Sequence, residues 1–133
     1  MKKIEHIGIA VTDINKSNEL FSKIFGKQNY KSEIMESESV ITSFFQIGEN
    51  QIELVDAKNT DSPISKYLQK NREGMHHISF EVEDIVKEMA RLKGEGIRLL
   101  NDTPKKGADN KLICFLHPKD TNGVLIELCQ EIL

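Results

Sequence analysis

The feature that most constrains this chain is a strand written twice. HIGIAVTDI runs from His6 to Ile14, and HISFEVEDI runs from His77 to Ile85. His77 follows His6 by 71 positions, and Asp84 follows Asp13 by the same 71. Each copy closes on a second echo, QIELVD at 51–56 and LIELCQ at 125–130, whose glutamates Glu53 and Glu127 stand 74 positions apart. A spacing held across a whole half of the chain marks a duplicated supersecondary unit. Two such units packed about a pseudo-twofold axis would bring two imidazoles and two carboxylates to one place. Nitrogen and oxygen donors of that kind suit a divalent cation.

Alternation within the strands says which way these side chains point. Ile4, His6, Gly8 and Ala10 share one side of the first strand, and Ile7, Ile9 and Val11 share the other. The branched side should pack beneath a helix, which leaves the histidine on a face lined with small residues. In the second copy Met75, His77, Ser79 and Glu81 oppose His76, Ile78, Phe80 and Val82. In QIELVD, Ile52 and Leu54 oppose Gln51, Glu53 and Val55, so Glu53 lies away from the helix. Asp13 and Asp84 are placed to cap the helices that follow them. The first helix is predicted to bury Leu20, Phe21, Ile24 and Phe25 and to stop at Gly26; the second carries Ile85, Met89 and Leu92 and closes at Gly94 and Gly96.

The remaining elements follow from shorter signals. Strands are expected over 28–35, 40–47, 51–56, 97–100, 111–117 and 124–129, with a tight turn at Gly48-Glu49-Asn50 and a polar loop over 101–110. Ser62 and Pro63 open a short helix with Ile64, Tyr67 and Leu68 on one edge. Each half therefore reads as βαβββ, which predicts an α+β fold in one domain spanning 1–133. Its expected parts are a first module over about 1–58, a bridging helix over about 62–72 and a second module over about 73–133.

Composition narrows the partners. At 133 residues and 38% hydrophobic content the chain can bury one substantial core. A net charge of −3 gives no electrostatic reason to expect nucleic acid or an anionic membrane as partner. No apolar run approaches a bilayer span, and MKKIEHIG lacks the apolar core of a signal peptide, so a soluble, cytoplasmic protein is expected. Cys114 and Cys129 stand singly in apolar strands and read as buried thiols. His117, just before Pro118, is expected to shape a turn. A single histidine or glutamate on a strand is ordinarily a satisfied core residue or a surface one. The joint recurrence of all four residues is what points to a cation.

HIGIAVTDI, HHISFEVEDI, DSPISKYLQKNREGMHH and FLHPKDTNGVLIEL resemble the methylmalonyl-CoA epimerase family of the vicinal oxygen chelate superfamily, which also holds glyoxalase I. The similarity runs over nearly the whole chain. It implies two βαβββ modules in tandem, forming a cupped mixed β-sheet around a divalent cobalt, manganese, zinc or nickel ion. The ligands it implies are His6, Glu53, His77 and Glu127. It also implies an acyl-CoA substrate, a homodimer and a place in propionate metabolism.

The implied reaction interconverts the R and S forms of methylmalonyl-CoA at C2, by proton abstraction through a metal-stabilised enolate. Inversion requires proton exchange on both faces of the planar intermediate, so two groups are expected, Glu127 on one face and Glu53 on the other. Some family members have glutamine at the second ligand, where this chain has Glu53. One form of the family carries a glutamate base at the position that Thr42 occupies here. Thr42, Lys105, Lys106 and Lys119 are the expected substrate contacts, with Lys70 a further candidate for the CoA arm. Two other functions share the scaffold, a lactoylglutathione lyase and a metal-free module that binds a small molecule. The intact set of four ligands argues against the second.

Overall fold

A computed structural model describes all residues 1–133. Its elements run β1 (Lys3–Ala10), α1 (Ile14–Phe25), β2 (Lys31–Met35), β3 (Val40–Ile47), β4 (Asn50–Ala57), α2 (Pro63–Lys70), β5 (Gly74–Glu81), α3 (Ile85–Gly94), β6 (Lys105–Gly107), β7 (Lys111–Phe115) and β8 (Ile126–Glu131), with a 3-10 turn at Pro118–Asp120. The chain forms two compact units, one of Ile7–His76 and one of Met1–His6 with His77–Leu133. Strand β1 gives its first half to the second of these and its last half to the first.

In the unit Ile7–His76 the strands are ordered β2-β3-β4-β1, with β2-β3 and β3-β4 antiparallel. One face carries α1, which packs Ile14, Phe21 and Phe25 on a core of Val11, Phe45 and Leu54. Here the sequence expectation needs correction. Leu20 and Ile24 are 53% and 60% exposed, and Ser17 is buried in their stead. The apolar residues of α1 form a stripe two rows wide, and only the row 14, 17, 21, 25, at steps of three and four, meets the sheet. On the other face α2 lays Ile64 and Leu68 against Val40 and Val55.

In the other unit the order is β1-β5-β8-β7-β6, with β5 parallel to β8 and the rest of the ladder from β8 to β6 antiparallel. Helix α3 buries Ile85, Met89 and Leu92 on Val82, Cys114, Leu116 and Leu128. Both cysteines are buried and unpaired.

The duplication recurs in matching hydrogen bonds. Asp13 accepts from the backbone N–H of Asn15 and Lys16, and Asp84 from that of Lys87, each at 3.1 Å. Val11 donates to the Val55 carbonyl at 2.9 Å, and Val82 to that of Cys129 at 2.8 Å. The residue three beyond each glutamate satisfies the first N–H of its unit's helix: Asp56 accepts from Ile14 at 3.0 Å, and Gln130 from Ile85 at 2.7 Å.

The stretch between α3 and β7 departs from expectation. No strand forms over 97–100, where only Leu99 makes a bridge, to Leu116. A strand forms instead inside the expected polar loop, where β6 pairs with β7 through a hairpin whose Asp109 and Asn110 have φ of 58° and 54°. Left-handed backbone at consecutive positions matches the twist of paired strands. A Cβ at Gly107 would lie 2.8 Å from Ile113 Cδ1 and 2.9 Å from its Cγ2, so a larger residue there would have to displace the Ile113 side chain. His117 caps the 3-10 turn, its Nδ1 accepting from the Lys119 N–H at 3.2 Å. No helix is long and apolar enough to cross a membrane.

Candidate metal centre

Three strands of one unit each deliver one donor: β1 gives His6, β5 gives His77 and β8 gives Glu127. The Nε2 atoms of the two histidines are 3.1 Å apart, and Glu127 Oε1 is 3.3 Å from His6 Nε2. A donor atom from each of the three lies within 4.8 Å of the others. All three side chains are buried. The imidazole rings meet edge to face at 87°, and Phe115 stands edge-on to His77 with centroids 5.9 Å apart. The parallel register sets the small Ser79 beside Glu127, which leaves room between the donors.

The donor set fits a divalent cation on two observations. Nitrogens about 2.1 Å from one ion and at right angles about it lie roughly 3.0 Å from each other, close to the separation of the two Nε2 atoms. Glu127 Oε1 is also buried without a hydrogen-bond donor, since its contact with His6 lies outside hydrogen-bonding geometry. A buried carboxylate oxygen left in that condition is costly, and a cation is the partner it lacks. Burial pushes the Glu127 carboxyl up, whereas His6 and His77, when they carry a positive charge, pull it down. A cation between the three donors would favour the carboxylate form in the same way.

Glu53 is not in this cluster of three. It belongs to the unit Ile7–His76, where β4 holds it buried opposite Phe44, on the face away from α1 that it shares with Thr42. The Thr42 hydroxyl donates to the Glu33 carbonyl at 3.2 Å. Lys105 and Lys106 precede Gly107 on β6, while Lys119 is exposed on the 3-10 turn and Lys70 at the end of α2.

Two charged residues of the site have no counterpart in the sequence reading. Glu5 and Lys111 are buried, with Glu5 Oε1 3.0 Å from His6 Nδ1 and 3.8 Å from Lys111 Nζ. The repeat could not have exposed them, because the position 71 beyond Glu5 is His76, whose ring packs on Tyr67 instead.

Residues 5–115 match the Glyoxalase/Bleomycin resistance protein/Dioxygenase superfamily. The chain is 40% identical over 129 residues to the mitochondrial methylmalonyl-CoA epimerase of Homo sapiens, covering 96% of this chain and 73% of that protein. It is 38% identical over 130 residues to an ethylmalonyl-CoA/methylmalonyl-CoA epimerase of Cereibacter sphaeroides, covering 96% of this chain and 97% of that one. Among solved structures, a Streptomyces coelicolor methylmalonyl-CoA epimerase in complex with 2-nitronate-propionyl-CoA superposes with a TM-score of 0.95 at 34% identity, over 100% of this chain and 99% of the other. Fold, donor set and relatives agree: the chain belongs to the Glyoxalase/Bleomycin resistance protein/Dioxygenase superfamily, within which it is similar to methylmalonyl-CoA epimerases.

Proposed function

We propose that this protein is a methylmalonyl-CoA epimerase that works with a divalent cation held by His6, His77, Glu127 and Glu53. The observation that carries the reading is the buried convergence of His6, His77 and Glu127 in a chain so similar to named epimerases over nearly its full length.

The reaction must move a proton at C2, a carbon flanked by a thioester and a carboxylate, and return it to the opposite face. Its barrier lies in the negative charge that develops on the thioester oxygen. A bound cation would supply Lewis-acid stabilisation of that charge, worth several kcal/mol. The protein's own residues do the rest. Burial of His6, His77 and Glu127 excludes water from the reacting centre and strengthens every charge interaction within it. Glu127, buried beside both imidazoles with its Oε1 left without a hydrogen-bond partner, is assigned the proton on one face of C2. Glu53, its counterpart in the repeat, is assigned the other face. A carboxylate engaged with a cation would be a weak base, so the glutamate that takes the proton would be the less tightly held of the two. The Thr42 hydroxyl hydrogen is engaged by a backbone carbonyl, which leaves Thr42 as a substrate contact and not a proton carrier. Lys105, Lys106 and Lys119 are assigned to the CoA arm and its phosphates. Cobalt, manganese, zinc and nickel all accept such donors. A homodimer of cytoplasmic location, acting in propionate metabolism, completes the reading.

Incubation of the metal-loaded protein with one epimer of methylmalonyl-CoA in heavy water tests it. Deuterium should enter C2 and the other epimer should form, and a chelator should stop both. If neither occurs with any of the four metals, the substrate assignment is wrong.

A further inference from the structure

Beneath His6 the donor cluster continues into two charged side chains to which the proposed mechanism gives no task. Glu5 is 3% exposed and Lys111 is 5% exposed. Glu5 Oε1 lies 3.0 Å from His6 Nδ1. A carboxylate offers lone pairs and no proton, so this contact is a hydrogen bond only when Nδ1 carries the hydrogen. A neutral imidazole has one N–H, so Nε2 then keeps its lone pair. Nε2 is the atom that faces His77 Nε2 and Glu127 Oε1. The tautomer Glu5 selects is thus the one that presents a donor to a cation.

Lys111 explains how a carboxylate stands so deep. Its Nζ lies 3.8 Å from Glu5 Oε1, 3.9 Å from Asp109 Oδ2 and 3.9 Å from Glu131 Oε1. These separations are too long for hydrogen bonds, so the ammonium acts as a centre of positive charge among three carboxylates. The Asp109 and Glu131 side chains are 19% and 63% exposed, so water screens them, whereas Glu5 depends on Lys111 and His6. Glu5 and Lys111 together add no net charge, so they orient His6 without weakening the attraction of the site for a cation.

We propose that Glu5 is a positioning residue for cation binding: its carboxylate, backed by the buried Lys111 ammonium, holds His6 with Nδ1 protonated and Nε2 open to the cation. The proposal rests on the reading of His6 as a ligand and goes beyond it, because it names what sets the state of that ligand.

The test compares the wild-type chain with Glu5→Gln and Glu5→Ala. Cobalt(II) ion is titrated into chelator-stripped protein and followed by its visible absorption, and nitrogen-15 NMR of the metal-free protein reads the His6 tautomer. Glu5→Ala should weaken cobalt binding by about 10–100-fold, whereas Glu5→Gln, whose amide oxygen still accepts from Nδ1–H, should stay within severalfold of wild type. NMR should find the Nδ1–H tautomer in the wild type and a mixture in Glu5→Ala. A merely structural role would lower the melting temperature and leave both the rescue by glutamine and the tautomer unexplained. Wild-type affinity in Glu5→Ala overturns the proposal, as does an Nε2–H tautomer in the wild type, which decides the matter even if Glu5→Ala fails to fold. If the wild type binds no cobalt, the metal reading falls and this proposal falls with it. If cobalt binding depends on Glu5 but no epimer forms, only the substrate assignment is lost.

Discussion

Replacing Glu127 by glutamine keeps its shape and removes its charge, which separates packing from chemistry at the residue where both meet. The variant retains an oxygen donor, so the fold should hold. It loses the carboxylate assigned to proton transfer, and kcat/KM for epimerisation should fall by about 10²–10⁴-fold, while circular dichroism melting stays within a few degrees of wild type. Loss of less than tenfold would move the proton carrier to another residue. Glu127, His6 and His77 were legible in the sequence because the repeat makes a joint statement about them that no one of them makes alone. Glu5 was not legible for the converse reason: it sits beside a ligand in sequence but matches His76 in the repeat, and its role appears only when Lys111, more than a hundred positions away, is packed against it.

At the scale of elements, what the sequence showed best was helix boundaries, because caps are local. Asp13 and Asp84 both accept from the first turn of the helix that follows, Asp13 from two N–H groups and Asp84 from one. Alanine at either position should cost about 1 kcal/mol, with Asp13→Ala the larger, measured by urea denaturation. Equal costs would mean that the second bond to Asp13 contributes nothing. What the sequence showed worst was β6. Two lysines and a glycine carry no alternation to read, and the strand is held by its hairpin and the close approach of Gly107 to Ile113, neither of which is a periodic signal. Nearby, Asp120 accepts from the Arg98 backbone N–H at 2.9 Å and from its guanidinium at 2.9 and 3.0 Å. The guanidinium and that N–H hold the Asp120 carboxyl well below the usual carboxylate range. The unfolded chain therefore binds this proton more readily than the folded one. The contribution is fully present above the ordinary aspartate pKa of about 3.9 and is lost as the pH falls through the lower folded value. Asp120→Asn should remove that part of the acid loss, so its stability should decline less steeply than wild type below about pH 4. An unchanged acid limb in denaturant melts would show that solvent screening leaves the pair without weight.

At the scale of the whole molecule the three clustered donors come from positions 6, 77 and 127, so only the folded chain can bring them to one ion. A ligand that binds the folded state alone stabilises it by RT ln(1 + [L]/Kd), about 2.7 kcal/mol when the free cation is a hundredfold above its dissociation constant. For a chain of this length that corresponds to a rise in melting temperature of roughly 8–15 °C. Saturating cobalt(II) should therefore raise the melting temperature of the wild type by that amount, and excess chelator should reverse it. In His6→Ala the rise should nearly vanish, because one of the two imidazole ligands is gone and the ligands that remain bind far more weakly. The metal-free melting temperature of His6→Ala controls for packing: a fall in that baseline reports the lost side chain, whereas the size of the cobalt-dependent step reports the site. A step of equal size in both proteins would place the ion elsewhere in the molecule, and no step in the wild type would remove the cation from the mechanism altogether.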